Sequence, residues 1–221
     1  MARSDVPGGP PAEHYFATAP AGPEHLREMP VLLAGRPVRV TTADGVFSAD
    51  RLDPGTAVLL RTVPQPPSSG ALLDLGCGWG PIALSLGMLS PQAQVWAVDR
   101  NARAVDLVRR NAQALSLTSV RAVLPEELPG DIAFDAIWSN PPIRIGKTAL
   151  HELLLTYLPR LRPGGQAFLV VQRHLGADSL QTWLAGAALG SAFTISRVAS
   201  SRGYRVLRVR RDDGTHPAMP A

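Results

Sequence analysis

The stretch Asp74-Leu75-Gly76-Cys77-Gly78-Trp79-Gly80 limits what this chain can fold into more than any other. It follows a short apolar run and precedes a helical pattern. Glycines at alternate positions let a backbone turn sharply and admit a ligand where a Cβ would stand in the way. A glycine turn between strand and helix belongs to parallel sheets whose strands are joined by helical crossovers. The chain around it agrees: residues 71–75, 94–99, 120–124, 134–138, 166–172, 193–198 and 204–210 read as strands. Residues 82–89, 102–115, 148–161 and 179–189 carry helical spacing, the third stopping at Pro163-Gly164-Gly165. This predicts an α/β fold, a doubly wound, mostly parallel seven-stranded sheet. Ahead of it, residues 37–48 alternate apolar and polar around Asp44-Gly45, a signal for an N-terminal β-hairpin extension. Residues 64–70 read as a loop by composition.

Residues 1–23 are rich in Pro and Gly and read as a flexible arm, and 212–221 as a flexible tail. The 221 residues are 45% hydrophobic and 18% charged, which excludes wholesale disorder. No long uncharged apolar stretch suits a membrane span, and the first residues lead into no apolar signal core. The single cysteine, Cys77, cannot form an internal disulfide, so the expected compartment is the cytoplasm. The net charge is +4, and of 22 basic residues only Lys147 is a lysine. Arginine stacks on bases and forks onto phosphates, so this balance permits an RNA partner.

The glycine spacing speaks to the ligand. A dinucleotide loop places glycines at i, i+2 and i+5; here they fall at i, i+2 and i+4, with Asp74 two residues before the first. An acid beside the loop suits a cationic ligand better than a pyrophosphate. S-adenosyl-L-methionine carries a sulfonium and an ammonium and no phosphate. Asp99, at the end of the second strand, is placed to accept hydrogen bonds from a ribose, or alternatively to cap the next helix. A second constellation, Ser139-Asn140-Pro141-Pro142-Ile143, follows the strand 134–138. The prolines remove two N–H groups and stiffen the turn. The Asn140 side-chain oxygen and the Pro141 carbonyl are then two acceptors able to hold a planar NH₂ against an electrophilic methyl. No strong base is required, because the nitrogen becomes acidic once alkylated.

Together the Asp74–Gly80 loop, Asp99 and the Asn140-Pro-Pro turn resemble class I S-adenosylmethionine-dependent methyltransferases of planar amino nitrogens. Glu13-His14-Tyr15-Phe16, Gly45-Val46-Phe47-Ser48, the run from Asn140 to Lys147, Arg173-His174-Leu175-Gly176 and Gly203-Tyr204-Arg205-Val206-Leu207 look like the methyltransferase small domain family, which includes 16S ribosomal RNA guanine-N2 methyltransferases. The resemblance implies a Rossmann-like methyltransferase fold, with one methyltransferase domain over 24–211. It implies that Gly76, Gly78 and Gly80 line the methionine part of the cofactor and that Asp99 holds its ribose. Phe47 and Ser48 would lie in a hairpin covering it, and Glu126 is the candidate reader of adenine. Asn140, Pro141, Pro142 and Ile143 would hold the target base. Ile143 stands where relatives acting on adenine or on a protein glutamine carry an aromatic, which favours a guanine amine in RNA. Methylation of a protein glutamine and non-catalytic binding of the cofactor or RNA stay open. No metal-ligand spacing is present.

Overall fold

The computed structural model describes residues 25–214. The expected arm over 1–23, the Glu13–Phe16 motif and the end of the expected tail lie outside the described residues. The described chain opens with an antiparallel pair, β1 (Leu26–Leu33) and β2 (Arg36–Ala43), followed by α1 (Pro54–Thr62). Strands and helices then alternate: β3 (Ser69–Leu75), α2 (Pro81–Leu89), β4 (Gln92–Val98), α3 (Ala102–Ala114), β5 (Val120–Val123), β6 (Phe134–Ser139), α4 (Lys147–Tyr157), β7 (Leu161–Gln172) and α5 (Ala177–Trp183). The antiparallel strands β8 (Phe193–Ser201) and β9 (Tyr204–Arg211) finish it.

Seven strands form one sheet in the order β5-β4-β3-β6-β7-β9-β8, and the β1-β2 pair stands apart. The chain builds outward from β3 through β4 to β5, then returns to lay β6 on the other side of β3. That reversal is the switch point at which α/β sheets bind ligands. The strand period of two sorts the core. Leu73, Ile137 and Leu169 face α4 and α5, whereas Leu72, Ala136 and Val170 face the side built from α1, α2 and α3.

Three expectations are corrected. The hairpin turns at Ala34-Gly35, not at Asp44-Gly45, which begins the turn after β2. Ala34 and Gly35 both take positive φ (48° and 75°), as a tight two-residue hairpin turn requires, so the stronger turn dipeptide in the sequence misplaced the partner of β2. The helix ending was likewise misread. Pro159 lacks the N–H that would continue α4, so the helix stops at Tyr157. Pro163-Gly164-Gly165 instead forms a bulge inside β7, where pairing jumps from Phe134↔Leu161 to Ala136↔Gln166. A Cβ on Gly165 would lie 2.9 Å from the Arg162 carbonyl oxygen and 3.0 Å from that of Phe134, so only glycine fits. Lastly, the helix expected over 179–189 starts at Ala177 and loses regular geometry after Trp183, with Gly186 at φ −76°, ψ −159°.

The hairpin packs on α2 and α3 through Met29, Leu33, Val40 and Ala43, and one buried polar side chain ties its backbone down. Asn111 on α3 accepts Thr41 N–H (2.7 Å) and donates to the carbonyls of Thr41 (3.0 Å) and Trp79 (3.1 Å). Asn111→Ala would leave these three backbone groups without that partner. It is expected to lower stability by about 3 kcal/mol in denaturant unfolding; a change within 0.5 kcal/mol, the ordinary span for surface substitutions, would contradict this role.

Candidate active site

The glycine loop and the Asn-Pro-Pro turn meet because β3 and β6 are parallel neighbours. Their register pairs Asp74 with Trp138, so each strand ends at the same level and Gly76 and Asn140 emerge side by side. The Ser139 hydroxyl donates to the Leu75 carbonyl at 2.6 Å and pins the two strand ends together. Pro142 then lies over the glycine loop, its Cδ 3.6 Å from the place a Gly76 Cβ would occupy.

The loop is wired to the neighbouring strand. Gly76 and Cys77 N–H donate to the Val98 carbonyl at 2.8 and 3.1 Å. Gly78 N–H donates to Asp99 Oδ2 at 3.0 Å, and Asn101 N–H to Asp99 Oδ1 at 2.9 Å. The cap of α3 is Asn101, which accepts Arg103 N–H, so Asp99 is free of that duty. Gly76 and Gly78 both take positive φ (76° and 55°), and a Cβ on Gly78 would meet nothing nearer than the Phe47 carbonyl at 3.9 Å. The neighbours of both glycines stand at ordinary van der Waals distance, so it is the positive φ that calls for glycine here.

A cleft at the carboxyl ends of β3 and β6 is walled by Gly76, Cys77 and Gly78 on one side and by Asn140, Asp53 and Thr56 on another. Phe47 and Ser48 stand at its edge. They belong to the turn after β2 and not to the hairpin itself. That turn is held firmly: Asn101 Nδ2 donates to the Gly45 carbonyl, Arg103 to that of Asp44, and Trp79 Nε1 to that of Ser48 (3.1 Å). Phe47 is left 63% exposed.

Other expected residues fall elsewhere. Gly80 does not line the cleft. Its φ of 97° turns the chain into α2, and a Cβ there would press to 2.9 Å on Val108, so this glycine serves the packing of α2 on α3. Glu126 is exposed and outside the cleft. In the short 3-10 turn Pro125–Glu127, the Glu127 carboxylate takes Leu124 N–H and pairs with Arg109, leaving Glu126 toward solvent. Pro141 is buried, and half-buried Ile143 packs against the core on the α4 side. Asp74 is fully buried behind the loop, its Oδ2 accepting Ala83 N–H at 2.9 Å and its Oδ1 without a hydrogen-bond partner. Asp53 and Thr56 escaped the sequence reading. The signal was Asp53-Pro54, a capping acid followed by a proline at the first helical position.

Burial dominates the electrostatics. It pushes the Asp74 carboxyl from 3.8 up to about 8, with the Ala83 hydrogen bond opposing and Asp99 adding to the rise. Asp99 is raised for the same first reason, against hydrogen bonds from Asn101, Gly78 and Arg100. Cys77, in the same surroundings, has its thiol pushed well up and stays protonated. Burial makes ionisation costlier at both carboxyls, and a cationic guest would offset that cost. No basic side chain among the described residues lines the cleft. Among the described residues no cluster of His, Cys, Asp or Glu is arranged to hold a metal ion. No described helix is long and apolar enough to cross a membrane.

The model of the methyltransferase small domain matches residues 37–208. The chain belongs to that family. An uncharacterised Bacillus subtilis protein, YbxB, is 30% identical over 205 residues, 90% of this chain and 99% of its own length. Ribosomal RNA large subunit methyltransferase G of Streptomyces avermitilis is 35% identical over 65% of this chain and 39% of its own length. Ribosomal RNA small subunit methyltransferase C of Shewanella amazonensis is 31% identical over 72% and 47%. The chain thus spans less than half of these two named relatives. Among solved structures, the Thermus thermophilus 16S rRNA N2 methyltransferase RsmC, in complex with AdoMet and guanosine, superposes with a TM-score of 0.70 at 26% identity, covering 87% of this chain and 52% of that one. The methyltransferase small domain therefore occupies the seven-stranded sheet and its cleft.

Asp74 makes the protein's stability pH-dependent. Below about pH 4 its carboxyl is protonated folded or unfolded. Above that the unfolded chain ionises while the folded one stays protonated up to about pH 8. The unfolded state then binds fewer protons, and this group disfavours folding increasingly as pH rises, by up to about 1.4 kcal/mol per unit. Asp74→Asn keeps an acceptor for Ala83 N–H. Without cofactor, its stability advantage over wild type is expected to grow between pH 5 and 8 in urea unfolding; a constant difference would refute the buried acid.

Proposed function

We propose that this protein transfers the methyl group of S-adenosyl-L-methionine to the exocyclic N2 amine of a guanine in RNA, with small-subunit (16S) ribosomal RNA as the substrate. The observation that carries the reading is the Asn140 carboxamide beside the glycine loop. Its Nδ2 donates to Asp53 Oδ1 (2.8 Å) and Thr56 Oγ1 (3.0 Å), so the group left for a substrate is the acceptor Oδ1. An acceptor at the mouth of such a cleft selects a donor, and a planar NH₂ is the donor a methyltransferase can alkylate.

The cofactor, when bound, supplies an electrophilic methyl on a positively charged sulfur. The backbone at Gly76 and Gly78, which lines the cleft, would take its methionine end, and the raised carboxyls of Asp74 and Asp99 favour a cation nearby. Asp99 has further lone pairs for a ribose beyond those taken by Gly78 and Asn101. Asn140 Oδ1 and the Pro141 carbonyl would hold the amine in line. The rate enhancement then comes from positioning and fixed dipoles. The proton shed after alkylation passes to water.

Guanine in RNA is favoured over a glutamine amide by a cationic rim. The arginine run near the end of the chain is largely engaged: Arg205 pairs with Asp178 and Arg210 with Asp213, Arg208 donates to Ser196, and Arg211 to the carbonyls of Pro159 and Leu161. Arg144 and Lys147 after β6, Arg173 after β7 and Arg202 in the β8-β9 turn are exposed and form no ion pair among the described residues. Arg173 N–H donates to the Gly203 carbonyl, so the last two rim positions adjoin at the carboxyl edge of the sheet. The Thermus thermophilus relative holding guanosine supports the same base.

Asn140→Ala is expected to bind the cofactor within about threefold of wild type by calorimetry and to lose methyl transfer at least about a hundredfold; equal loss of both would remove its catalytic role. Mass spectrometry should find one N2-methylguanosine in small-subunit ribosomal RNA missing from cells that lack the protein. RNA methylation should fall steeply with salt. Arg173→Ala with Arg202→Ala should flatten that dependence by roughly one to two in log–log slope, whereas salt-independent activity would point to a protein substrate.

A further inference from the structure

We propose that Asp53 and Thr56, in the first turn of α1, are positioning residues that lock the Asn140 carboxamide so that it can only accept hydrogen bonds. The inference rests on the methyl-transfer reading above and adds residues to it. A free asparagine side chain can turn its amide over and present N–H where C=O stood. Here that flip is blocked. Asp53 Oδ1 already accepts Thr56 N–H (2.9 Å) as the cap of α1, so it is an acceptor, and facing it Asn140 must offer Nδ2. Turning the amide over would set two oxygens against each other. Thr56 Oγ1 takes Nδ2 as well, at 3.0 Å. An unlocked amide would oppose its own NH₂ to that of the substrate, donor against donor.

The lock is itself braced. Pro54 and the cap fix where α1 starts, and Val58 and Leu59 anchor the helix in the core. The ring of Tyr204, the first residue of β9, lies so close to Gly55 that a Cβ there would fall 2.8 Å from its Cε1 and 2.9 Å from Asp53 Oδ1. The glycine lets the tyrosine ring press against the helix turn that carries both acceptors. The Gly203-Tyr204 motif, distant in sequence from the glycine loop, thereby acts on the site through Asp53.

Asp53 carboxylate beside the cleft could alternatively serve as a proton acceptor, and the two roles separate by substitution. Asp53→Asn keeps an Oδ1 for both Thr56 N–H and Asn140. Asp53→Ser keeps a capping oxygen for α1 but falls short of Asn140. The assay is methyl transfer from labelled cofactor to deproteinised small-subunit ribosomal RNA from cells lacking the protein. Expected kcat losses are within about fivefold for Asp53→Asn, about tenfold for Thr56→Val and about a hundredfold for Asp53→Ser, with KM for RNA and cofactor within about threefold. In an Asn140→Ala background, Asp53→Ser should cost nothing further. A second readout needs no activity. In the free protein the Asn140 Nδ2 protons, identified by the NMR signals missing from Asn140→Ala, should exchange with water at least about tenfold more slowly than exposed side-chain amides, and Thr56→Val should release one of them. Fast exchange in wild type, additive losses in the double variant, or Asp53→Asn as inactive as Asp53→Ser would overturn the lock. A protected amide in a protein that leaves the RNA unmethylated would overturn the substrate and keep the lock.

Discussion

One hydrogen bond, from the Ser139 hydroxyl to the Leu75 carbonyl, holds the two ends on which everything else is built. Parallel strands carry no chemistry of their own. Their value lies in delivering two loops, far apart in sequence, to one level of the sheet. With β3 and β6 paired in register, the glycine loop and the Asn-Pro-Pro turn come to face the same space, and closing the strand ends by a buried hydroxyl removes the freedom that a separation of a few tenths of an ångström would leave. Shear between these strands would separate Asn140 from the loop while leaving both motifs intact.

Around that joint the protein accepts an unfavourable arrangement. Two carboxyls sit in surroundings that resist their ionisation, one of them with an oxygen that meets no donor. Keeping these acids buried costs stability. A positive charge brought beside them would lower that cost.

Much of this was legible in the sequence because the chemistry was local. Gly76 and Gly78 are marked by their spacing, and Asn140-Pro141-Pro142 by two prolines that remove consecutive N–H groups. What stayed hidden depended on partners remote along the chain. Ala34-Gly35 is a weak turn dipeptide beside Asp44-Gly45, and only pairing with Leu26–Leu33 decides between them. Gly80 resembles its two neighbours in the loop, yet its reason is Val108 on another helix. Pro163-Gly164-Gly165 looks like a helix terminator, whereas what demands Gly165 is the backbone of Arg162 in the same strand and of Phe134 on β6. Glu126 and Glu127 are both exposed, and only the hydrogen bond from Leu124 N–H shows which of the two is engaged by the backbone. Asp53-Pro54 reads in the sequence as a helix start and no more; only the fold sets Asp53 and Thr56 against Asn140.

The corrected hairpin has a practical consequence. Its tip at Ala34-Gly35 lies one whole strand, about 23 Å, from the end of β2 that leads into the Phe47 turn. A peptide tag, a fluorophore or an entire guest domain could be grafted at that remote corner while the chemistry at the opposite end continues undisturbed.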